Sequence, residues 1–282
     1  MPDSVTPARR LAVLGHPVEH SLSPLLHAAA YEVLGLNWNY GRVDVREHEL
    51  AGFLDGLDGS WRGFSATMPL KEELARRVDE ADRAVELTGA ANTVLLSEDG
   101  RRIARNTDVV GVARALVGAG LSTAEHAVIV GAGATARSVL VAVDELGARG
   151  VTVVVRDLAR AGAMRALADR LGLEFDIVGL DHLADVVTET DVVAWTLPNG
   201  VALRQELARS AVEHAVALDV TYHPWPGPLA AQWLAGGGRV ASGRDLLLHQ
   251  AVRQVRFFVS GGTDAPLDDE TTVELAMAET LD

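Results

Sequence analysis

The chain has 282 residues, enough for two domains that each bury a core. Its formal net charge of −14 argues against an extended nucleic-acid footprint, and the absence of cysteine excludes disulfides, thiolate zinc sites and cysteine nucleophiles. No run approaches the length of a membrane span, and MPDSVTPARR lacks the apolar core of a signal peptide, so a cytoplasmic protein without nucleic-acid or membrane partners is expected.

Arg10 to Gly15 reads as a first strand ending at glycine. His16-Pro17-Val18-Glu19-His20-Ser21-Leu22-Ser23-Pro24 follows and runs into a helix to about Leu34. Ser23 before Pro24 is a helix-start signal, serine capping free amides and proline suiting the first turn, so the plain reading of Ser23 is an N-cap. Ser21 precedes it beside the same positive helix end, where two hydroxyls and free amides suit a small carboxylate. His16, His20 and His27 are too irregularly spaced for a metal site, and no metal is expected.

Strands near Asn39 to Asp44 and Arg62 to Ala66, with a helix from Glu47 to Leu57 between them, continue an alternating α/β pattern. In Gly63 to Lys71, GFSATMPLK, Pro69 marks a helix start and puts Lys71 in the first turn. The helix dipole disfavours a cation there, unless Glu72 and Glu73 offset it. The choice lies between a solvated lysine and one placed for acid–base work. Gly89 to Leu96 reads as a turn feeding a strand, Glu98-Asp99-Gly100 as a hairpin turn, and Asn106-Thr107-Asp108 as the opening of a helix to about Val117. Local pattern alone makes Asp108 a cap and Asn92 a turn residue.

Ala127 to Leu140, AVIVGAGATARSVL, gives strand, glycine turn and helix in order, the first half of a dinucleotide-binding βαβ unit. Gly131 permits the tight turn, Gly133 lets backbone amides approach a pyrophosphate, and Ala136 stands as the third small residue. A second strand, Gly150 to Val155, arrives where the unit needs it. At its end Arg156 replaces the acid that would bind a ribose 2′-hydroxyl and favours a 2′-phosphate, while Asp157 opposes it. Strands Val192 to Thr196 and Ala215 to Val220 lead into Leu197-Pro198-Asn199-Gly200 and Thr221-Tyr222-His223-Pro224, at the edge where open α/β sheets place ligands. Gly236-Gly237-Gly238 turns into a short strand at Arg239-Val240. The last long helix, about Asp245 to Val259, carries Leu248, Val252 and Val255 at helical spacing, and Gln250 lies off that stripe in a position that reads as solvated. A closing helix, Asp269 to Glu279, is expected to pack on the first domain.

Together these segments resemble the shikimate dehydrogenase family (shikimate/quinate dehydrogenases) over almost the whole chain. GHPVEHSLSPLLH is similar to its G-x-P-x-x-H-S-x-S-P-x-x-H opening, and GFSATMPLK to its G-x-N-V-T-x-P-x-K segment. GAANTV and NTDVVG match two later substrate-side segments, GAGATA the nucleotide loop and VRDLAR the phosphate-reading loop. YHPWPGPL with SGRDLLLHQA resembles its C-terminal signature. Seven matches in the right order are specific. Ser65, Ala134-Thr135-Ala136, Val155 and Asp157 depart from the common pattern.

The resemblance implies an α/β chain: an N-terminal substrate domain, residues 1–107 with 246–282, and a Rossmann-type doubly wound nucleotide domain, 108–245, with C-terminal helices returning to the first. By the same resemblance Ser21 and Ser23 hold the substrate carboxylate, and Thr67, Asn92 and Gln250 bind ring hydroxyls with Tyr222 nearby. Lys71 and Asp108 are similar to the catalytic pair. Ala132, Gly133, Ala134, Thr135 and Ala136 meet the pyrophosphate, Arg156 and Arg160 the 2′-phosphate and adenine, Leu197 and Gly243 lie near the nicotinamide, and Gly131 and Thr196 complete the cofactor-binding set. The implied activity is reversible NADPH-dependent reduction of 3-dehydroshikimate to shikimate in aromatic amino acid (chorismate) biosynthesis, by a monomer or homodimer. An NAD-linked quinate/shikimate dehydrogenase and a non-catalytic ligand sensor are the alternatives, the latter opposed by retention of both Lys71 and Asp108.

Overall fold

The structure, a computed structural model, describes residues 8–198 and 200–281. The segment read for a signal peptide therefore lies largely outside the described residues, as does Asn199 of the turn after Thr196. Contacts divide the chain at Thr107/Asp108 and at His249/Gln250 into two compact units.

The first unit runs β1 (Arg9–Gly15), α1 (Ser23–Val33), β2 (Trp38–Asp44), α2 (Leu50–Asp55), β3 (Trp61–Ala66), α3 (Lys71–Ala75), β4 (Glu80–Ala81), α4 (Arg83–Thr88), β5 (Thr93–Leu96) and β6 (Arg102–Arg105). Its sheet has the order β2-β1-β3-β5-β6-β4. β1 pairs parallel with β2 and β3, and β5 pairs antiparallel with β3 and β6. Leu14, Leu50, Leu54, Trp61, Phe64, Leu70, Leu74, Val85 and Val94 fill one core beside this sheet. The stretch read as one helix from Glu47 to Leu57 is a 3-10 turn, Glu47–Glu49, followed by the short α2, Gly56 ending it.

The second unit continues with α5 (Asp108–Gly118), β7 (His126–Val130), α6 (Ala134–Glu145), β8 (Gly150–Val155), α7 (Gly162–Leu171), β9 (Glu174–Gly179), α8 (Leu183–Val186), β10 (Val192–Trp195), α9 (Arg209–His214), β11 (Val216–Asp219), α10 (Pro228–Ala235) and β12 (Arg239–Ser242). The strands form a parallel sheet in the order β12-β11-β10-β7-β8-β9. Numbered from β7, this is the doubly wound order 3-2-1-4-5-6, whose switch point lies between β7 and β10. β7, β8, β10 and β11 are short near-continuous apolar runs because helices cover both faces of such a sheet. Val130, Val154, Val193, Trp195, Ala217, Leu229 and Trp233 belong to one core here.

α11 (Gly243–Ser260) crosses the division at His249/Gln250, one helical turn beyond the 245/246 boundary read from the sequence. α12 (Glu270–Glu279) packs on α1 within the first unit. Arg256 secures the α11–α12 connection by pairing with Glu270 and donating to the carbonyls of Thr263 and Asp264. Among the described residues no helix is long and apolar enough to cross a membrane.

Candidate active site

The loop from β1 to α1 begins where two backbones touch. A Cβ on Gly15 would meet Thr67 Cγ2 at 2.4 Å, while Thr67 N donates to Leu14 O at 2.8 Å and His16 N to Met68 O at 3.1 Å. Only glycine permits this approach, which sets the Ser21 loop beside the Thr67 segment. The structure corrects the reading of Ser23 as an N-cap. Leu22 occupies the cap with helical backbone angles and no side-chain bond, and Ser23 is the first helical residue, buried, with Pro24 second. Ser21 Oγ accepts the Ser23 amide instead, at 3.4 Å, so this hydroxyl stands at the helix start.

Lys71 opens α3, but α3 has only five residues. The helix-dipole argument for that position is therefore weak, since few aligned peptide groups contribute. Its main chain places it more firmly: the Lys71 carbonyl accepts the Ala91 amide at 2.9 Å, one residue before Asn92. Thr67 and Lys71 are half-buried.

Asn92, Thr107 and Gln250 meet in a buried corner of the first unit. Asn92 Oδ1 accepts from Thr107 N at 2.9 Å and from Thr93 Oγ1 at 2.8 Å. Asn92 Nδ2 donates to Thr107 Oγ1 at 3.0 Å and lies 3.5 Å from Gln250 Oε1. Gln250 is only 5% exposed, which corrects the solvated reading its off-stripe position suggested. The helical stripe was read against one neighbour, whereas polar partners wait on another face. Asp108, the next residue after Thr107, is buried in the first turn of α5.

In the second unit the glycine turn follows β7 at the switch point. Gly131 has φ +120°, and a Cβ there would meet Thr196 Oγ1 at 2.3 Å. Thr196 Oγ1 donates to Val130 O at 2.8 Å, so the exits of β7 and β10 are tied together. Gly133 is the exposed N-cap of the twelve-residue α6, and a Cβ on it would meet nothing within 4 Å. The helix begins at Ala134, directly after the glycine turn. Ala132, Ala134 and Thr135 are half-buried and Ala136 is fully buried. Open space above amides that no side chain caps fits a dinucleotide pyrophosphate.

Arg156 follows β8 and is exposed, as is Arg160 in the 3-10 turn Leu158–Ala161. Asp157 caps that turn, its Oδ1 accepting the Ala159 amide at 3.1 Å. The carboxylate that clouded the cofactor reading thus has a local structural task. Leu197 is half-buried, and Gly243 is buried as the first residue of α11. An open pocket of about 310 Å³ sits by the exits of β10 and β11, lined by residues including Pro198, Val201, Thr221, Pro224 and Pro226.

Residues 13–94 match the family described as Shikimate dehydrogenase substrate binding domain, and residues 111–220 the one described as Shikimate / quinate 5-dehydrogenase. A relative named shikimate dehydrogenase (NADP(+)) in Ignicoccus hospitalis is 33% identical over 250 residues, covering 88% of this chain and 92% of its own. The chain belongs to the shikimate dehydrogenase family. A crystal structure of the Mycobacterium tuberculosis shikimate dehydrogenase is similar at TM-score 0.83 and 37% identity, over 96% of this chain and 99% of that one. A Thermus thermophilus member, solved with NADP(H) and shikimate, is similar at TM-score 0.79 and 32% identity, again over 96% and 99%.

Family motifs did not single out every residue that shapes these loops. Asp219 at the end of β11 is fully buried. Its Oδ1 accepts from Thr221 N, and its Oδ2 from Leu229 N and Ala230 N, each at 3.1 Å. It thereby caps α10 and fixes the chain on which half-buried Tyr222 rides; burial raises the Tyr222 phenol above its usual range. A carboxylate closing an apolar strand just before Thr-Tyr was the available signal.

Proposed function

We propose that the chain catalyses reversible NADPH-dependent reduction of the 3-keto group of 3-dehydroshikimate, giving shikimate for chorismate and aromatic amino acid biosynthesis. The observation that carries this reading is the buried corner of Asn92, Thr107 and Gln250, with the Lys71 main chain bonded to Ala91 beside it. Such a corner offers oriented amide and hydroxyl groups to a polyhydroxy ring, and the main-chain bond to Ala91 brings in Lys71, a residue type suited to proton transfer.

Bound NADPH supplies the hydride that the carbonyl carbon receives. Lys71 stabilises the negative charge developing on the carbonyl oxygen and delivers a proton to it. Asp108 orients a substrate hydroxyl. Ser21 and Ser23 bind the carboxylate, Thr67, Asn92 and Gln250 the ring hydroxyls, and Tyr222 stands near them. Gly131 to Ala136 receive the pyrophosphate at the start of α6, Arg156 and Arg160 the 2′-phosphate and adenine, and Thr196, Leu197 and Gly243 the nicotinamide end. The substrate domain is assigned residues 1–107 with 246–282, and the nucleotide domain residues 108–245. A cytoplasmic location and a monomer or homodimer go with this assignment; sedimentation of the purified chain tests the latter.

Reduced-nicotinamide absorbance, followed with shikimate and quinate against NADP and NAD, is the test. The shikimate–NADP pair should give the highest kcat/KM. A higher value for quinate with NAD would replace the substrate and cofactor assignments. Shikimate binding without turnover on any pair would make the chain a sensor.

A further inference from the structure

The hydrogen bonds behind Asn92 run further into the first unit than the corner requires. Asn92 Oδ1 receives the Thr107 backbone N–H at 2.9 Å, and a backbone amide can only donate, so that end of the side chain is the oxygen. Thr93 Oγ1 lies 2.8 Å from the same oxygen and must spend its single proton there. Its lone pairs then accept, and Gln254 Nε2 donates to it at 3.1 Å. Gln254 Oε1 therefore faces His27 Nε2 at 3.1 Å, which requires the proton on that ring nitrogen. His27 Nδ1 is left as acceptor for the Tyr31 hydroxyl at 3.1 Å. Starting from that backbone amide, a single set of amide orientations and proton positions is consistent from Asn92 to Tyr31.

Every member of the chain of donors is buried. His27 is fully buried, Gln254 and Tyr31 are each 2% exposed and Thr93 fully buried. The His27 ring is stacked on Tyr40 at 3.8 Å between centroids and 8° between planes, and Tyr40 is itself bonded to Ser65. A ring clamped on its face, with both nitrogens committed, holds Gln254 in one orientation. A buried polar chain satisfied at each member specifies a single arrangement, whereas one broken link leaves a buried group unpaired.

We propose that Gln254 and His27 are positioning residues for substrate binding, acting through Thr93 to hold the Asn92 amide in the orientation that meets a ring hydroxyl. The proposal rests on the assignment of Asn92 to the substrate made above. It gives α11 two linked contributions one turn apart: Gln250 in the corner itself and Gln254 behind it.

Steady-state kinetics of the full chain with shikimate and NADP provide the test. Gln254→Met and Thr93→Val should each raise the shikimate KM about three- to tenfold, the effect of one lost hydrogen bond, with the NADP KM within about twofold. Thr93→Ser, which keeps the hydroxyl, should stay near the parent. The double variant Gln254→Met, Thr93→Val should do no more than the worse single one, because both cut the same chain. An unfolding midpoint beside each KM separates loss of fold from loss of orientation. If Gln254→Met does not fold, the Thr93→Val and Thr93→Ser contrast decides the question alone. A parent-like shikimate KM in these variants, with Asn92→Ala raising it, overturns the relay and leaves the substrate reading standing. A parent-like KM in Asn92→Ala removes Asn92 from the substrate, and the relay falls with it.

Discussion

The Arg42 guanidinium holds the main-chain carbonyl of Ser21 with two hydrogen bonds, from Nε at 3.0 Å and from Nη2 at 2.6 Å. Two residues along β2, on the same face, Asp44 Oδ1 lies 2.8 Å from His16 Nδ1. One strand thus grips both ends of the loop that carries Ser21.

If Ser21 binds the substrate carboxylate, Arg42 decides how well its hydroxyl is aimed. Arg42→Ala should raise the shikimate KM about three- to tenfold while the NADP KM holds. Arg42→Lys should recover only part of this, since an ammonium cannot reproduce the guanidinium's two-donor fork. An unchanged shikimate KM in Arg42→Ala would show that the loop holds its shape without the clamp.

His27 should make the fold acid-sensitive. Burial, opposed by the hydrogen bond to Gln254, lowers its pKa from 6.5 to about 3. Between those values the unfolded chain binds a proton that the folded chain refuses, so stability rises with pH across this window. The contribution is complete above pH 6.5 and is lost progressively as pH falls toward 3. From pH 6.5, where the unfolded imidazole is half protonated, to pH 4.5 the loss from this group is about 2 kcal/mol. Denaturant midpoints for the parent and for His27→Gln should therefore converge on acidification. Parallel pH profiles would mean that His27 is not kept neutral.

The nucleotide half was legible in the sequence because each signal was local. An apolar run, Gly131, Gly133 and a helical period all sit within Ala127 to Leu140, and the observed β7–loop–α6 unit follows from them. The corner of Asn92, Thr107 and Gln250 was not legible from local pattern. Gln250 lies off the apolar stripe of its helix, and nothing near it in sequence says that Asn92 and Thr107 will close over it. His27 and Gln254 are 227 residues apart, and nothing in the sequence around His27 points to that partner. Ser23 looked like a cap because Ser-Pro is a helix start; the helix winds one residue earlier, through Leu22. Register at helix ends and contacts between distant polar residues are set by tertiary packing, which local pattern does not encode.

The assignment proposed above puts cofactor choice on the residues after β8. Arg156 and Arg160 present two exposed cations, while Asp157 is engaged with the Ala159 amide. The structure therefore leans the balance toward a 2′-phosphate. Arg156→Ala should raise the NADP KM on the order of tenfold or more, the loss of a charge-assisted contact, and move the NAD KM far less. Comparable NADP and NAD efficiencies in the parent enzyme would contradict this.

Lys71 separates an enzyme from a binder. Its position is fixed through its own carbonyl, which accepts the Ala91 amide, so the side chain can be removed without cutting that link. Lys71→Ala should lower kcat roughly a hundredfold or more, the usual contribution of a positioned acid–base group. Shikimate affinity should fall much less, because the carboxylate and hydroxyl contacts proposed for Ser21, Ser23, Asn92 and Gln250 remain. Asp108→Asn should behave similarly. If the two residues serve one proton transfer, the double variant should lose much less than the product of the single losses. Unfolding midpoints belong beside each rate, since Asp108 is buried and its replacement bears on stability as well as chemistry. A well-folded Lys71→Ala protein with near-parent kcat would return Lys71 to the solvated lysine that local pattern first offered, and the proton would need another source.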